Sequence, residues 1–153
     1  MSEIERITDQ LKRAFEGGAW HGPSVKEVLE EVTVEKAAAR PVPTAHSIWE
    51  LVLHITVWED AVKRWIRGET HNVSNEQDWQ KVTGTSEEAW KKTLAALQKG
   101  HLELRETISR LSDSELDKIL KDPKPSVYDL LHGVIQHDLY HAGQIAVLKK
   151  RAK

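Results

Sequence analysis

Residues 126–148 read SVYDLLHGVIQHDLYHAGQIAVL, and how this stretch is read decides the fold. Val127, Leu130, Leu131, Val134, Ile145 and Leu148 recur at helical steps, so the segment is an amphipathic helix opening at Ser126. His137 and His141 lie on or beside that apolar stripe, four residues apart. This spacing sets them about 40° apart around the axis and about 6 Å along it, so two imidazoles can converge on one ion. Buried without partners they would be costly, and a shared ion satisfies both. QHDLYH also looks like the zinc-protease signature HExxH with Asp138 in place of Glu. That reading fails twice. Aspartate is one methylene shorter than the glutamate base, and the remaining AGQIAVLKKRAK holds no His, Asp or Glu as a downstream ligand. A third ligand must come from upstream.

Working outward, the same periodicity recurs. Thr85 with Glu88 forms a capping-box pattern ahead of Trp90, Leu94, Leu97, His101, Leu104, Ile108 and Leu111. Thr44 opens a helix carrying Ile48, Leu51, Val52, Ile55, Trp58, Val62 and Trp65, closed at Gly68. Residues 2–16 carry Ile4, Ile7, Leu11, Ala14 and Phe15, and Gly17-Gly18 ends that helix. Ser24 caps a short helix with Val25, Val28, Leu29 and Val32, and AAARPVP is a connector. A minor turn or helix is expected over residues 112–120, and KDPKP separates it from the last helix. No strand pattern of alternating residues appears. The fold class is therefore all-α, a four-helix bundle with short accessory helices. The link at residues 69–84 has no periodicity and is long enough to span the bundle, which permits a parallel helix pair joined by a crossover.

Composition sets the outer limits. A chain of 153 residues, read as one domain over 1–153, can bury a full core. The net charge is −2 with acidic and basic residues interleaved, which argues against nucleic acid as a partner. The final KKRAK run reads as a solvated helix end. No run approaches the roughly 20 apolar residues of a membrane span, and MSEIERITDQ has no signal region, so a soluble cytoplasmic protein is expected. Cysteine is absent, which removes disulfides, thiolate ligands and a cysteine nucleophile together.

Among the other histidines, His54 is the strongest candidate for a third arm. It falls between Leu51 and Trp58 on the inner side of its helix, in LVLHITVW, where a polar residue needs a reason. His101 lies on the stripe through Leu97 and Leu104 and is a possible neighbour. His132 is about 140° round the helix from His137 and reads as structural. His71 lies in the long link and should be solvated. His46 falls in the first turn of its helix, where a polar side chain caps or meets solvent.

LVLHITVWED and, far downstream, HDLYHAGQI resemble the DinB/YfiT-like family of metal-dependent bundle proteins, marked by a histidine in the second long helix and HxxxHxGQ in the last. AFEGGAWHGPSVKEVLEEVT, PVPTAHSIWELVLHI and YDLLHGVIQHDLYHAGQIAVL extend the likeness over nearly the whole chain. The resemblance implies an up-down-down-up bundle and a divalent ion, zinc or nickel, on His54, His137 and His141. It further implies a homodimer, and for some relatives the transfer of bacillithiol or mycothiol. The expected activity is transfer of an external low-molecular-weight thiol to an electrophilic small molecule. A metal-dependent hydrolase, or a non-catalytic metal- or ligand-binding stress-response dimer, are the alternatives.

Position adds further candidates. Gln144 is three beyond His141 on the same face and can bind water or substrate, or serve structure alone. Gly143 is expected to allow close helix approach. Asp138 either orients a ligand imidazole or, the plainer reading, faces solvent. His21, in the AWHGPS loop, is a candidate proton-transferring group or additional ligand. Trp20, Trp49 and Trp58 either line an apolar pocket or belong to the core.

Overall fold

The computed structural model describes residues 1–120 and 125–152. The described residues form α1 (Glu3–Glu16), α2 (Val25–Leu29), α3 (Val34–Ala38), α4 (Ile48–Ile66), α5 (Asn75–Asp78), α6 (Glu87–Ser109) and α7 (Val127–Arg151), with one 3₁₀ turn at Asp113–Glu115. Residues 121–124 of the KDPKP connector and Lys153 of the terminal run lie outside the described residues.

Every one of these α-helices opens on a serine or threonine whose hydroxyl accepts an amide N–H of the first turn: Ser2, Ser24, Thr33, Ser47, Ser74, Ser86 and Ser126. These caps correct several expected boundaries. Ser47, not Thr44, starts α4, because its hydroxyl accepts from the Glu50 amide and its own amide donates to the Glu50 carboxylate at 2.7 Å. His46 therefore precedes the helix instead of lying in its first turn. Ser86, not Thr85, caps α6. The short helix expected to reach Val32 ends at Leu29, since Glu31 adopts a left-handed φ of 60°. Thr33 then starts α3 inside what reads as a connector. The long link also holds α5, capped by a Ser74/Gln77 box.

Side-chain pairing fixes the direction of each long helix. Trp49 meets Trp90 and Thr93, Lys63 meets Glu103, and Arg67 meets Thr107, so α4 and α6 run parallel. Phe15 shares one apolar cluster with Leu51, Leu97 and Ile145, whereas Ile4 and Ile7 share the other with Val62, Ile108 and Leu131. Hence α7 is parallel to α1 and antiparallel to α4 and α6. The order is up-down-down-up, with residues 67–86 making the crossover. Neighbours around the bundle are α4/α6, α6/α1, α1/α7 and α7/α4.

Each fully buried Leu, Ile or Phe in these clusters contributes about 1.5–3 kcal/mol of burial free energy. The two clusters do not merge into one column. Between them, at the level of Glu59 on α4, His101 on α6 and Asp138 on α7, the bundle interior is polar. No helix among the described residues is long and apolar enough to cross a membrane.

Candidate metal centre

α4 and α7 cross where their apolar stripes are interrupted by histidine. His54 from α4 meets His137 and His141 from α7, one helical turn apart. His137 Nε2 lies 3.0 Å from His54 Nε2 and 3.1 Å from His141 Nε2. His54 and His141 are buried and His137 is partly so. Burial pushes His137 down to about 3, with the neighbouring imidazoles adding to the shift, and burial lowers His141 as well. Both are neutral at physiological pH, the state in which imidazole ligates metal.

Two of the three rings are oriented from behind. His54 Nδ1 donates toward Asp78, 2.9 Å from its Oδ1 and 3.1 Å from its carbonyl oxygen. Asp78 Oδ1 also accepts the Trp58 indole N–H at 2.7 Å. His141 Nδ1 donates to Gln144 Oε1. Both rings therefore carry their proton on Nδ1 and turn a bare Nε2 lone pair toward His137 Nε2. That atom carries at most one hydrogen, so it cannot satisfy both contacts as hydrogen bonds. One cation shared by the three Nε2 atoms resolves the conflict. The spacing suits it, because ligands bound at about 2.1 Å and about 90–110° apart are about 3.0–3.4 Å from one another. These donors fit a divalent ion.

The surroundings combine an aromatic wall and a groove. Trp79 stacks on His54 at 3.9 Å and 6°, and on His46 at 3.5 Å and 3°. A groove of about 640 Å³, mostly apolar, is lined by Val42, Leu51, Tyr140, Gly143, Gln144 and Val147 among others. Gln144 belongs to both places, touching His141 and lining the groove.

Beneath this centre lies a second cluster. Glu59, His101 and Asp138 are each 0 % exposed, and a ligand atom from each lies within 4.8 Å of the others. His101 Nδ1 is 2.9 Å from Glu59 Oε1, and Phe15 stacks on the His101 ring at 3.7 Å. Burial holds both carboxyls well above their ordinary range, and holds His101 down to about 3.

Of the residues singled out in sequence, His54, His137, His141 and Gln144 are brought together. His21 is exposed in the turn after α1 and is not among the converging groups. Trp20 is fully exposed, Trp49 is core, and Trp58 serves Asp78. His101 is buried beside the centre, bonded to Glu59. His71 is half-buried and its carbonyl accepts the Trp65 indole N–H. Two expectations are corrected. Asp138 faces the interior, not solvent. Gly143 permits no close approach, since a Cβ there meets nothing within 4 Å; it borders the groove. Glu59, Asp78 and Trp79 were missed. Glu59 had a signal, lying four after Ile55 and three before Val62 on the apolar stripe. Asp78 and Trp79 had only the Ser74/Gln77 box ahead of them, which marks a helix start but not a partner.

The family model of the DinB superfamily matches residues 19–145. No curated protein and no solved structure gives a significant match.

Proposed function

The chain belongs to the DinB superfamily, and on that premise we propose that it is a metal-dependent enzyme transferring a low-molecular-weight thiol to an electrophilic small molecule. The observation that carries the reading is the convergence of three imidazole Nε2 atoms beside an open, largely apolar groove. Three protein ligands leave a position for an exogenous group, as in catalytic rather than structural sites. A divalent ion held by His54, His137 and His141 would supply the charge that lowers the pKa of a thiol at neutral pH. Zinc or nickel suits an all-imidazole donor set. The chain has no cysteine, so the thiol comes from outside, and bacillithiol is the first choice of probe.

The chain's own residues then divide the work. Asp78 and Gln144 hold the ring protons of His54 and His141 and so fix which nitrogen faces inward. Trp79 covers His54 and limits water on that side. Val42, Leu51, Tyr140 and Val147 offer the apolar wall against which an electrophile packs, and Gln144 is the polar group at the junction. A cytoplasmic homodimer is part of the proposal.

The test is incubation of metal-loaded protein with bacillithiol and a panel of electrophiles. Conjugate formed above the uncatalysed rate is the expected result. No conjugate from protein with verified metal content would overturn the transferase reading, and turnover without thiol would replace it with hydrolysis.

A further inference from the structure

We propose that Glu59, His101 and Asp138 form a second cation site in the middle of the bundle, distinct from the three-histidine centre and taking a divalent ion that accepts oxygen and nitrogen ligands, such as Mn²⁺ or Zn²⁺. The three residues come from α4, α6 and α7, so the site ties together three of the four long helices. Their ligand atoms lie within 4.8 Å of one another. Ligands on opposite sides of an ion at about 2.1 Å stand about 4.2 Å apart, so small side-chain rotations close the set.

The second and independent observation is what these groups lack. Asp138 is 0 % exposed, and its carboxyl faces only the Glu59 carboxyl, an acceptor-to-acceptor contact that closes only around a proton or a cation. Glu59 Oε2 and His101 Nε2 are also buried, and His101 Nε2 has no hydrogen-bond partner. The hydrogen bond from His101 Nδ1 to Glu59 Oε1 satisfies one acceptor, and a proton held between the two carboxyls would still leave His101 Nε2 without a partner. Buried polar groups in native proteins are nearly always paired, so an imidazole nitrogen and two facing carboxyls left this way in one place point to a missing partner.

Charge narrows what that partner is. Once their protons are displaced, the two carboxylates with a neutral imidazole sum to −2, which a divalent cation cancels. The basic side chains that act on the cluster make their ion pairs outside it, although Arg105 keeps a buried Nε without a partner. Lys63 Nζ is 2.8 Å from both Asp60 and Glu103, and Arg105 pairs through Nη1 with Glu16. Two carboxylates favour harder ions than three imidazoles do, so the two sites differ in preference, with Mn²⁺ better placed at the second. Because all three ligands are sealed from solvent, the ion enters as the chain folds and not by diffusion into the native bundle.

The experiment refolds the full chain from denaturant in excess Mn²⁺ or Zn²⁺, removes free metal by gel filtration and measures bound metal per chain. Wild type should retain two ions, and the double variant His54→Ala/His141→Ala should retain one. Asp138→Asn and Glu59→Gln should each retain only the ion of the histidine centre. Mn²⁺ bound in the histidine double variant should give an electron paramagnetic resonance signal of immobilised ion. Wild type saturating at one ion, or a folded histidine double variant holding none, overturns the proposal and leaves the two carboxyls sharing a proton. Should the carboxyl variants not fold, the wild-type stoichiometry decides alone.

Discussion

His137 and Asp138 are adjacent in sequence, yet they enter two clusters that treat buried polarity in opposite ways. The histidine cluster stands beside a groove, and two of its rings are held from behind by Asp78 and Gln144. The Glu59/His101/Asp138 cluster has no exposed surface and no hydrogen-bond partner outside itself. Both lie on α4 and α7. A step of one residue turns a helix by about 100°, which is enough to move from the face that meets a substrate to the face that meets the core. The comparison separates two uses of burial. In one, neutral ligands are arranged for exchangeable chemistry. In the other, two carboxyls are locked where only a proton or an ion can answer them.

The largest effect that would break this distinction concerns the ligands themselves. His54→Ala leaves two imidazoles on one helix, and metal affinity at the histidine centre should fall by more than the roughly 100-fold that loss of an outer hydrogen-bond partner can cause. Titration calorimetry with Zn²⁺ checks this. An unchanged affinity would mean that α4 contributes nothing to the centre. In the sealed cluster the corresponding change acts on stability. His101→Ala strips Glu59 of its hydrogen bond and opens a void beneath Phe15, so urea denaturation should show a loss of about 3–5 kcal/mol. That is a large part of the roughly 5–15 kcal/mol that holds a domain together.

The sequence exposed the two clusters unequally, and the reason is physical. An i, i+4 histidine pair on an apolar stripe is legible because helix geometry alone makes it converge, and His54 stands out between Leu51 and Trp58. The all-α class and the crossover follow from periodicity and from a link of sufficient length. Asp138 was illegible because helical spacing places it beside the stripe, where solvent exposure and burial differ by a small rotation of the helix against its neighbours. Glu59 carried a signal at its stripe position, but a single charge there reads as the edge of the apolar face until His101 on α6 is seen to meet it. Asp78 and Trp79 depend on the crossover folding back onto α4. No local pattern encodes that contact.

Smaller changes sharpen the contrast without erasing either cluster. Asp78→Ala removes the acceptor of the His54 ring proton while leaving every ligand present. Metal affinity should fall about 10–100-fold, or about 1.4–2.7 kcal/mol, with the helical content unchanged. Loss of affinity below threefold would make the Asp78 contact a loop anchor and no more.

The two clusters should also titrate in opposite senses in metal-free protein. His137 is neutral in the fold down to about pH 3 but charges near 6.5 when unfolded, so its contribution is present above about 6.5 and is lost as pH falls toward 3. Glu59 is held above its ordinary range by burial, so its contribution is present below about 4.3 and is lost as pH rises through the neutral range. Glu59→Gln keeps an acceptor for His101 and removes the ionisation. Relative to wild type it should gain about 1–2 kcal/mol in urea stability between pH 5 and pH 8. A parallel pH profile for the two proteins would show that Glu59 does not resist ionisation.

Gly143 gives the smallest effect and bears on the open cluster alone. Glycine within a helix costs up to about 1 kcal/mol relative to alanine, and a Cβ at this position meets nothing within 4 Å. Packing therefore gives no reason for glycine, and Gly143→Ala should raise thermal stability by about 0.5–1 kcal/mol with metal content unchanged. The added methyl projects where the groove is lined by Leu51, Tyr140 and Gln144. If that groove receives the electrophile, KM should rise for the bulkiest members of the panel while kcat for the smallest is preserved. Higher stability with KM unchanged across the panel would instead mean that substrates reach the histidine centre by another face, leaving the groove as surface relief beside it.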